Sequence, residues 1–218
     1  MNRLSPKILF ILFVLIMTGC VTKEPYDYTN LRASKPRSIL VLPPINNTVE
    51  VGAPYTFIAT ISKPLAEKGY YVFPVAVIDT FLKKNGLPTP VEMNAIPLDK
   101  LQQHTGADAV LYVTINDWGQ KYQVLASNLV VDSSAKLLDA KTGTVLWDTR
   151  FYFVQSSDDG GGGLAGALIG ALITQIVGTL ADKSPQASST ANTLAINDPK
   201  RGLLTGPYSV VIDEPIDN

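Results

Sequence analysis

The chain divides at Cys20, because the residues before it have the features of a removable export signal. Two basic residues, Arg3 and Lys7, precede an unbroken apolar run at 8–17, and small residues follow that run. This order of charged, apolar and small residues is typical of a secretory signal peptide. The run is too short to span a bilayer, which takes about 20 helical residues. We therefore expect residues 1–19 to be a signal peptide outside the mature fold.

Cys20 is the only cysteine of the sequence, and Met17-Thr18-Gly19-Cys20 resembles a bacterial lipobox. In a lipobox the cysteine sulfur receives a diacylglycerol, the chain is cut before the cysteine, and the new amino terminus is usually acylated, commonly with palmitate. Each buried methylene contributes about 0.8 kcal/mol, so several acyl chains hold a protein on a membrane almost permanently. The alternative is an ordinary cleaved signal followed by an unpaired thiol, which exposes an exported protein to oxidation. We predict that Cys20 is lipidated.

The residue after the cysteine and the charge of the mature chain bear on its location. Val21 stands where Asp is associated with inner-membrane retention, so by analogy we expect the outer membrane and its periplasmic side. Loss of Arg3 and Lys7 with the signal changes the formal charge from −1 to −3. This mild acidity gives no electrostatic footprint for nucleic acid and no basic patch for acidic lipid. With no second cysteine, the core must be held by packing rather than by disulfides.

A polar stretch with two prolines separates Cys20 from the first apolar run. We interpret residues 20–37 as the lipidated N-terminus and a solvated tether that lifts the domain off the membrane. An α/β domain is predicted to follow over residues 38–157.

Short β-rich runs alternate with helical patterns in the first half of this domain. Strands are predicted at 38–42, 70–73 and 109–115, a loop at 44–48, and helices at 55–68, 75–84 and 97–106. Pro64 lies inside the first helix and is expected to kink or split it. The alternation predicts a mixed sheet covered by helices, which is an α/β fold.

The second half of the domain predicts a long antiparallel hairpin. Its arms are residues 123–138 and 144–154, joined by a short loop in which Gly143 provides a left-handed position. One face should be buried and the other half solvated. The predicted buried face of the second arm carries Val145, Trp147, Phe151 and Phe153, and the other face carries Leu146, Asp148, Arg150 and Tyr152.

Residues 158–182 contain a glycine run at 160–163 and then a predicted C-terminal apolar helix rich in Gly and Ala at 164–181. Small residues recur four apart in two stripes, which permits close approach of another backbone. The residues are Gly162, Gly166 and Gly170 in one stripe and Gly163, Ala167 and Ala171 in the other. Three interpretations stay open: packing on the domain's own sheet, self-association through the stripes, and insertion into a membrane that 18 residues would only just span.

Two further segments follow residue 182. Residues 183–200 are rich in Ser, Ala, Thr and Asn, and we predict a flexible surface loop there. Residues 201–218 are expected to return to the domain, with a short strand at 208–212.

The sequence offers no recognisable set of catalytic, cofactor-binding or metal-binding residues. His104 is the only histidine, so zinc is disfavoured, and a helix C-terminal role is expected for it. The chain has no Gly-x-Ser-x-Gly turn, and its glycine run lacks the Lys-Ser or Lys-Thr of a phosphate loop. Asp148, Asp158 and Asp159 lack the ordered spacing of a calcium loop. Trp118 fits either a partner-binding surface or, more commonly, a core edge.

Four blocks, in this order, resemble those of a family of bacterial lipoproteins of uncharacterised function. They are Pro-Pro-Ile-Asn-Asn at 43–47, Pro-Leu-Ala-Glu-Lys-Gly-Tyr-Tyr-Val at 64–72, Asn-Gly-Leu-Pro at 85–88 and Leu-Tyr-Val-Thr-Ile-Asn-Asp-Trp-Gly at 111–119. The resemblance implies an α/β domain similar to the amino-terminal domain of TolB, to the curli-secretion lipoprotein and to lipoprotein activators of penicillin-binding proteins. Such proteins bind other envelope proteins, and no catalytic residue carries over.

These observations predict a non-enzymatic lipoprotein, anchored through Cys20 on the periplasmic side of the outer membrane. Its expected partners are another envelope protein, such as a curli-secretion-like lipoprotein, or a second copy of itself. The alternatives are an oligomeric export component whose 164–181 helix enters the membrane, and a hydrolase that uses His104.

Overall fold

A mixed sheet of six strands forms the centre of the part of the chain that the computed structural model describes, residues 24–122, 127–156 and 182–209. The strands are β1 (Ser38–Val41), β2 (Ile45–Asn46), β3 (Tyr71–Val72), β4 (Ala109–Tyr122), β5 (Ser127–Asp139) and β6 (Val145–Ser156). Their order is β3-β1-β4-β5-β6, with β2 also beside β4. Strands β1 to β4 pair in parallel, whereas β4, β5 and β6 pair antiparallel. The α/β fold class with its mixed sheet and long hairpin is confirmed.

Helices cover both faces of this sheet. They are α1 (Thr29–Ser34), α2 (Ala53–Glu67), α3 (Val75–Lys84), α4 (Pro90–Asn94), α5 (Leu98–Thr105) and α6 (Ser184–Ile196). Two buried clusters result. Helices α1, α2 and α6 contribute to the larger cluster with all of the long strands, and α3, α4 and α5 contribute to the smaller one with β1 and the start of β4.

Most helix boundaries follow local signals. The predicted helix at 75–84 matches α3, and α5 ends at Gly106, whose φ of 72° provides the left-handed cap. Helix α2 continues through Pro64, so the predicted split does not occur. Helix α4 was not predicted, although Thr89 and Glu92 form a capping box around it.

Strand β1 is interrupted at Pro43 and Pro44, which have no N–H to donate to a ladder. The chain then resumes pairing with β4, because Ile45 lies opposite Thr114 and Asn46 opposite Ile115. The predicted loop at 44–48 therefore contains a two-residue strand. Strand β4 also runs on to Tyr122, beyond the predicted end at 115, after a bulge between Ile115 and Asp117.

The buried face of β6 differs from the prediction at its first two residues. Trp147, Phe151 and Phe153 are buried as predicted, but Val145 is 43% exposed and Leu146 only 3%. A register shift between Leu137 and Leu138 of β5 lies opposite these residues and reverses the alternation there.

Residues 184–196 form helix α6, so the prediction of a flexible loop over 183–200 is wrong for them. The helix buries a stripe of small residues, Ala187, Ala191 and Ala195, which permits close packing on the domain. Polar side chains also join it to α2, because Thr60 Oγ1 lies 2.7 Å from Ser188 Oγ and accepts a hydrogen bond from Asn192 Nδ2 at 2.9 Å. The composition suggested a solvated loop because most of the side chains that this helix buries are small, such as Ala and Ser.

Several predictions lie outside the described residues. These are the signal peptide, Cys20, the segment at 158–181 and the end of the predicted strand at 208–212; Tyr208, at its start, lies in a turn. Within the described ranges, no helix is both long enough and apolar enough to cross a bilayer.

Candidate functional site

The N-terminal segment, residues 24–37, lies against the domain. Helix α1 buries Leu31, which is 3% exposed, and ends at Lys35 in the left-handed conformation, with φ 48°. Two side chains attach it to the hairpin: Asn30 Nδ2 donates to the Val145 carbonyl at 3.1 Å, and Ser34 Oγ donates to Asp139 Oδ2 at 2.6 Å. The solvated tether predicted for these residues is therefore wrong from Tyr26 onward. Charges and prolines suggested a linker, but one buried leucine and a few hydrogen bonds dock it.

Four side chains fasten the start of this segment to β6 and to the residues after α6; we call Tyr26, Tyr28, Asp148 and Arg201 the clasp. The Tyr26 hydroxyl donates to Asp148 Oδ1 at 2.8 Å and accepts from the Asp148 amide at 2.9 Å. Arg201 Nη2 lies 3.0 Å from Asp148 Oδ2, and its guanidinium carbon lies 5.2 Å from the centre of the Tyr26 ring. The two tyrosine rings are 4.8 Å apart. Asp148 is thus a member of the clasp, and Asp158 and Asp159, with which it was weighed as a calcium site, lie outside the described residues.

The residues after α6, 201–209, cross the domain as a strap whose carbonyls are held by three aromatic side chains. Trp147 Nε1 donates to the Arg201 carbonyl at 2.8 Å, Tyr28 to that of Gly202 at 2.6 Å and Tyr70 to that of Leu204 at 2.8 Å. Leu203, between them, is 2% exposed. The strap therefore joins the N-terminal segment, β6 and the residue before β3.

Two glycines let the strap lie directly on the turn after α2. The Gly206 amide donates to the Lys68 carbonyl at 2.8 Å, and the Tyr208 amide to that of Gly69 at 2.9 Å. A Cβ on Gly69 would lie 2.8 Å from Ser209 Cα, and Gly69 also has a φ of 91°. Only glycine fits this crossing without strain.

Burial and hydrogen bonding shift the pKa values of side chains in the clasp, under the strap and beside α1. Burial and then the hydrogen bond to Asp148 raise the pKa of Tyr26 to about 12. Burial also raises the pKa of Tyr70, beneath the strap, to about 12. At Asp139, burial acts to raise the pKa, but hydrogen bonds from Ser34, Thr142 and Lys141 leave it lowered. Tyr26 and Tyr70 therefore stay protonated hydrogen-bond donors at neutral pH, which suits them to hold the clasp and the strap in place.

The structure also shows the positions of His104 and Trp118, which the sequence analysis considered as functional residues. His104 is exposed in the last turn of α5, as its predicted helix C-terminal role requires. Trp118 is 4% exposed, which confirms the core-edge interpretation, and it borders a cleft of about 330 Å³ beside Glu50 and Asp182. Among the residues for which positions are described, no cluster of three His, Cys, Asp or Glu side chains could hold a metal ion.

The residues of the clasp were not predicted from the sequence. Cys20 and the small-residue stripes, Gly162, Gly166, Gly170, Ala167 and Ala171, are all outside the described residues. The one available signal was the pair Tyr26 and Tyr28 in a polar stretch. Their partners lie 122 and 174 residues away in the sequence, beyond any local pattern.

Comparisons with known proteins match the part of the chain that runs from the clasp to the strap. A family model described as "Putative lipoprotein GNA1162-like" matches residues 26–208, from the clasp to the strap. "Putative lipoprotein NMB1124/NMB1162" of Neisseria meningitidis serogroup B is 40% identical over 211 residues, which cover 95% of this chain and 98% of that protein.

One of the solved structures that this chain resembles is a lipoprotein with the same GNA1162 name. The crystal structure of lipoprotein GNA1162 from Neisseria meningitidis is similar with a TM-score of 0.55 and 38% identity, over 66% of this chain and 100% of that one. The PelC dodecamer from Paraburkholderia phytofirmans matches with a TM-score of 0.43 and 14% identity, over 73% of this chain and 86% of PelC. A similarity at that level supports no inference about assembly. The family match and the relative at 40% identity show that this chain belongs to the GNA1162-like family of putative lipoproteins.

Proposed function

We propose that the protein is a non-enzymatic lipoprotein, anchored through Cys20 to the periplasmic face of the outer membrane, where it binds other envelope proteins or further copies of itself. The observation that carries the proposal is the position of Cys20, at the end of a signal-like segment and six residues before the clasp. Cleavage there would leave the whole folded chain on the lipid. The lipoprotein description of the family and of its 40% identical relative supports the same anchor.

A binding role, rather than catalysis, is supported by what the polar groups do. Asp148 is engaged by Tyr26 and Arg201, and Asp132 receives two hydrogen bonds from Arg150 at 2.7 Å each. His104 stands exposed at a helix end, away from the buried clusters. These groups stabilise the fold or face solvent, which suits a protein that acts through its surface.

The anchor is tested by labelling cells with radioactive palmitate and separating their membranes. We expect the intact protein to carry label and to fractionate with the outer membrane. Cys20→Ser should carry no label, because the acceptor sulfur is gone, and Val21→Asp should keep the label but move to the inner membrane. Label on Cys20→Ser would contradict lipidation, and unchanged sorting of Val21→Asp would contradict the sorting rule.

Self-association through the small-residue stripes remains part of the proposal and is tested by crosslinking in intact cells. Gly166→Leu with Gly170→Leu should abolish a discrete homo-oligomer, since large side chains prevent close approach of two backbones. Gly166→Ala with Gly170→Ala is the matched control and should retain it. A crosslinked complex unchanged by the leucine pair would direct the search to a different partner protein.

A further inference from the structure

The clasp leaves little chain between the lipid and the folded domain. Tyr26 is the first residue fixed to β6, and six residue steps separate it from Cys20. A fully extended chain covers about 3.3–3.6 Å per residue, so this span reaches at most about 22 Å. If the N-terminal segment were undocked, the first fixed residue would be Ser38 in β1, 18 steps from Cys20, and the reach would be about 60 Å.

We propose that the clasp holds one side of the domain against the membrane, so that lipid headgroups are the partner of the surface around Tyr26, Lys200 and Arg201. The proposal rests on lipidation of Cys20. A span of about 22 Å is shorter than a domain of this size is wide, because the sheet alone has β4 of 14 residues at about 3.3 Å each. The domain cannot turn its far side to the lipid while Tyr26 stays docked.

The charges on this surface are balanced. The short chain between Cys20 and Tyr26, and not attraction to charged lipid, therefore holds the surface near the membrane. Charges of both signs lie around the two tyrosines: Arg201 and Asp148 act on Tyr26, and Arg32, Arg201 and Asp198 act on Tyr28. Arg201 is paired with Asp148, and the Asp198 carboxylate accepts from the Lys200 and Arg201 amides. A balanced surface of this kind, with two tyrosines in it, suits zwitterionic headgroups and has no excess of cations for acidic lipid.

The opposite side of the domain is then turned to the aqueous compartment. Helix α3 packs on the far face of β1, which is three strand positions from β6. Strands lie about 4.8 Å apart, so α3 is separated from the clasp by about 14 Å of sheet and by its own helical layer. Lys84, at the exposed end of α3, therefore serves as the matched reference for Lys200, which is also exposed.

The test places a fluorophore at either position of the full-length, lipidated protein. Lys200→Cys and Lys84→Cys each introduce the only free thiol, because the sulfur of Cys20 carries the lipid. The proteins are reconstituted in phosphatidylcholine vesicles that contain a headgroup spin label as quencher. We expect about threefold stronger quenching at position 200, since the docked chain keeps Tyr26, which contacts the neighbouring Arg201, within about 22 Å of the lipid.

Releasing the clasp should reduce that difference. Tyr26→Ala with Tyr28→Ala moves the first docked residue to Asn30, ten steps from Cys20, so the reach rises to about 36 Å and quenching at position 200 should fall towards the level at position 84. Tyr152→Ala, an exposed tyrosine on the same strand as Asp148, is the control and should leave quenching unchanged. Raising NaCl from about 0.1 M to about 0.5 M screens surface charges and should also leave it unchanged.

Each contrary result overturns a defined claim. Equal quenching at the two positions in the lipidated protein, or a difference that is unchanged in the double alanine variant, would refute the clasp as the orienting device while leaving the anchor intact. Loss of the difference in salt would mean that charge, not chain length, orients the domain. Vesicle binding by Cys20→Ser equal to that of the unsubstituted protein would instead refute the proposed lipid anchor.

Discussion

The N-terminal segment and the C-terminal strap both cross the surface of the domain, but they are held by different means. The N-terminal segment is attached through side chains, chiefly Tyr26, Asn30 and Ser34, with Leu31 as the single buried residue of α1. The strap is attached through its own backbone, which pairs with Lys68 and Gly69 and accepts hydrogen bonds from Trp147 and Tyr70. A hydrogen bond at a surface can be exchanged for one to water at little net cost, whereas the buried strap residues Gly202, Leu203 and Gly206 would be left with unsatisfied backbone groups if their partners were lost.

The difference indicates that the strap belongs to the cooperative fold and that the N-terminal segment can open locally. Regions with few buried apolar side chains and many solvent-exposed hydrogen bonds open at low free energy. The element that can detach is the one next to Cys20, so with Cys20 lipidated as proposed, its docking and release would set the distance between domain and membrane.

The largest effect is expected at the glycine crossing. Gly69→Ala and Gly86→Ala both place a side chain at positive φ, 91° and 82°, which costs about 1–2 kcal/mol. Only the Gly69 Cβ would overlap Ser209, whereas no atom of the described residues lies within 4 Å of a Cβ at Gly86. Because overpacking costs about 1–3 kcal/mol, Gly69→Ala should lower the free energy of unfolding by about 2 kcal/mol more than Gly86→Ala. Urea denaturation measures both, and equal losses would show that the strap is not seated on Gly69.

The next effect compares two buried leucines, one in each segment. Leu203→Ala in the strap should lower the free energy of global unfolding by about 3 kcal/mol, the usual cost of removing a buried leucine. Leu31→Ala in α1 removes an equally buried side chain but should change global unfolding by less than about 1 kcal/mol, because α1 opens before the domain does.

Hydrogen exchange separates the two cases. Leu31→Ala should abolish the protection of the α1 amides and leave those of β4 and β5 unchanged. If both substitutions lowered global stability by the same amount, the N-terminal segment would be a cooperative part of the core and its local release would be refuted.

The same contrast explains which elements could be predicted from the sequence. Helix α3 was predicted to the residue, because its apolar period lies between Pro74 and Gly86, which both act locally. The parallel strands and the hairpin loop at Gly143 have similar local signals. The segments that were mispredicted, α1 and α6, bury few or small side chains, and their stability comes from contacts with distant residues.

The clasp shows most clearly which contacts cannot be predicted from the sequence. Nothing near Tyr26 in the sequence indicates Asp148 or Arg201 as its partners, since a side-chain pair is set by the packing of the whole sheet edge. Helix α6 did carry a usable start signal, because Pro185 lies in its first turn and the Asp182 carboxylate accepts from the Ser184 amide at 2.9 Å. The reversal at Val145 and Leu146 depends on a bulge, which alternation cannot reveal.

A smaller effect is expected from pH. Tyr26 and Tyr70 have pKa values raised from 10.0 to about 12, so the folded state keeps both protons where the unfolded state loses them. Their contribution is fully present below pH 10 and is lost as pH rises from 10 to 12. Tyr70→Phe should remove more of this decline in global stability than Tyr26→Phe, because Tyr70 is 5% exposed and lies under the strap. Equal effects of the two substitutions on urea midpoints would contradict the separation of strap and N-terminal segment.

The smallest effect is expected from the Tyr26 hydroxyl alone. Tyr26→Phe keeps the ring beside Tyr28 and Arg201 but removes the two hydrogen bonds to Asp148, which together should weaken docking by about 1 kcal/mol. Exchange of the α1 amides should then rise about fivefold, with global unfolding unchanged. Tyr152→Phe, on the exposed face of β6 beside Arg150, should change neither quantity. If Tyr26→Phe left α1 exchange unchanged while Tyr26→Leu accelerated it, ring packing against the guanidinium would hold the N-terminal segment, and the hydroxyl would serve only to satisfy Asp148.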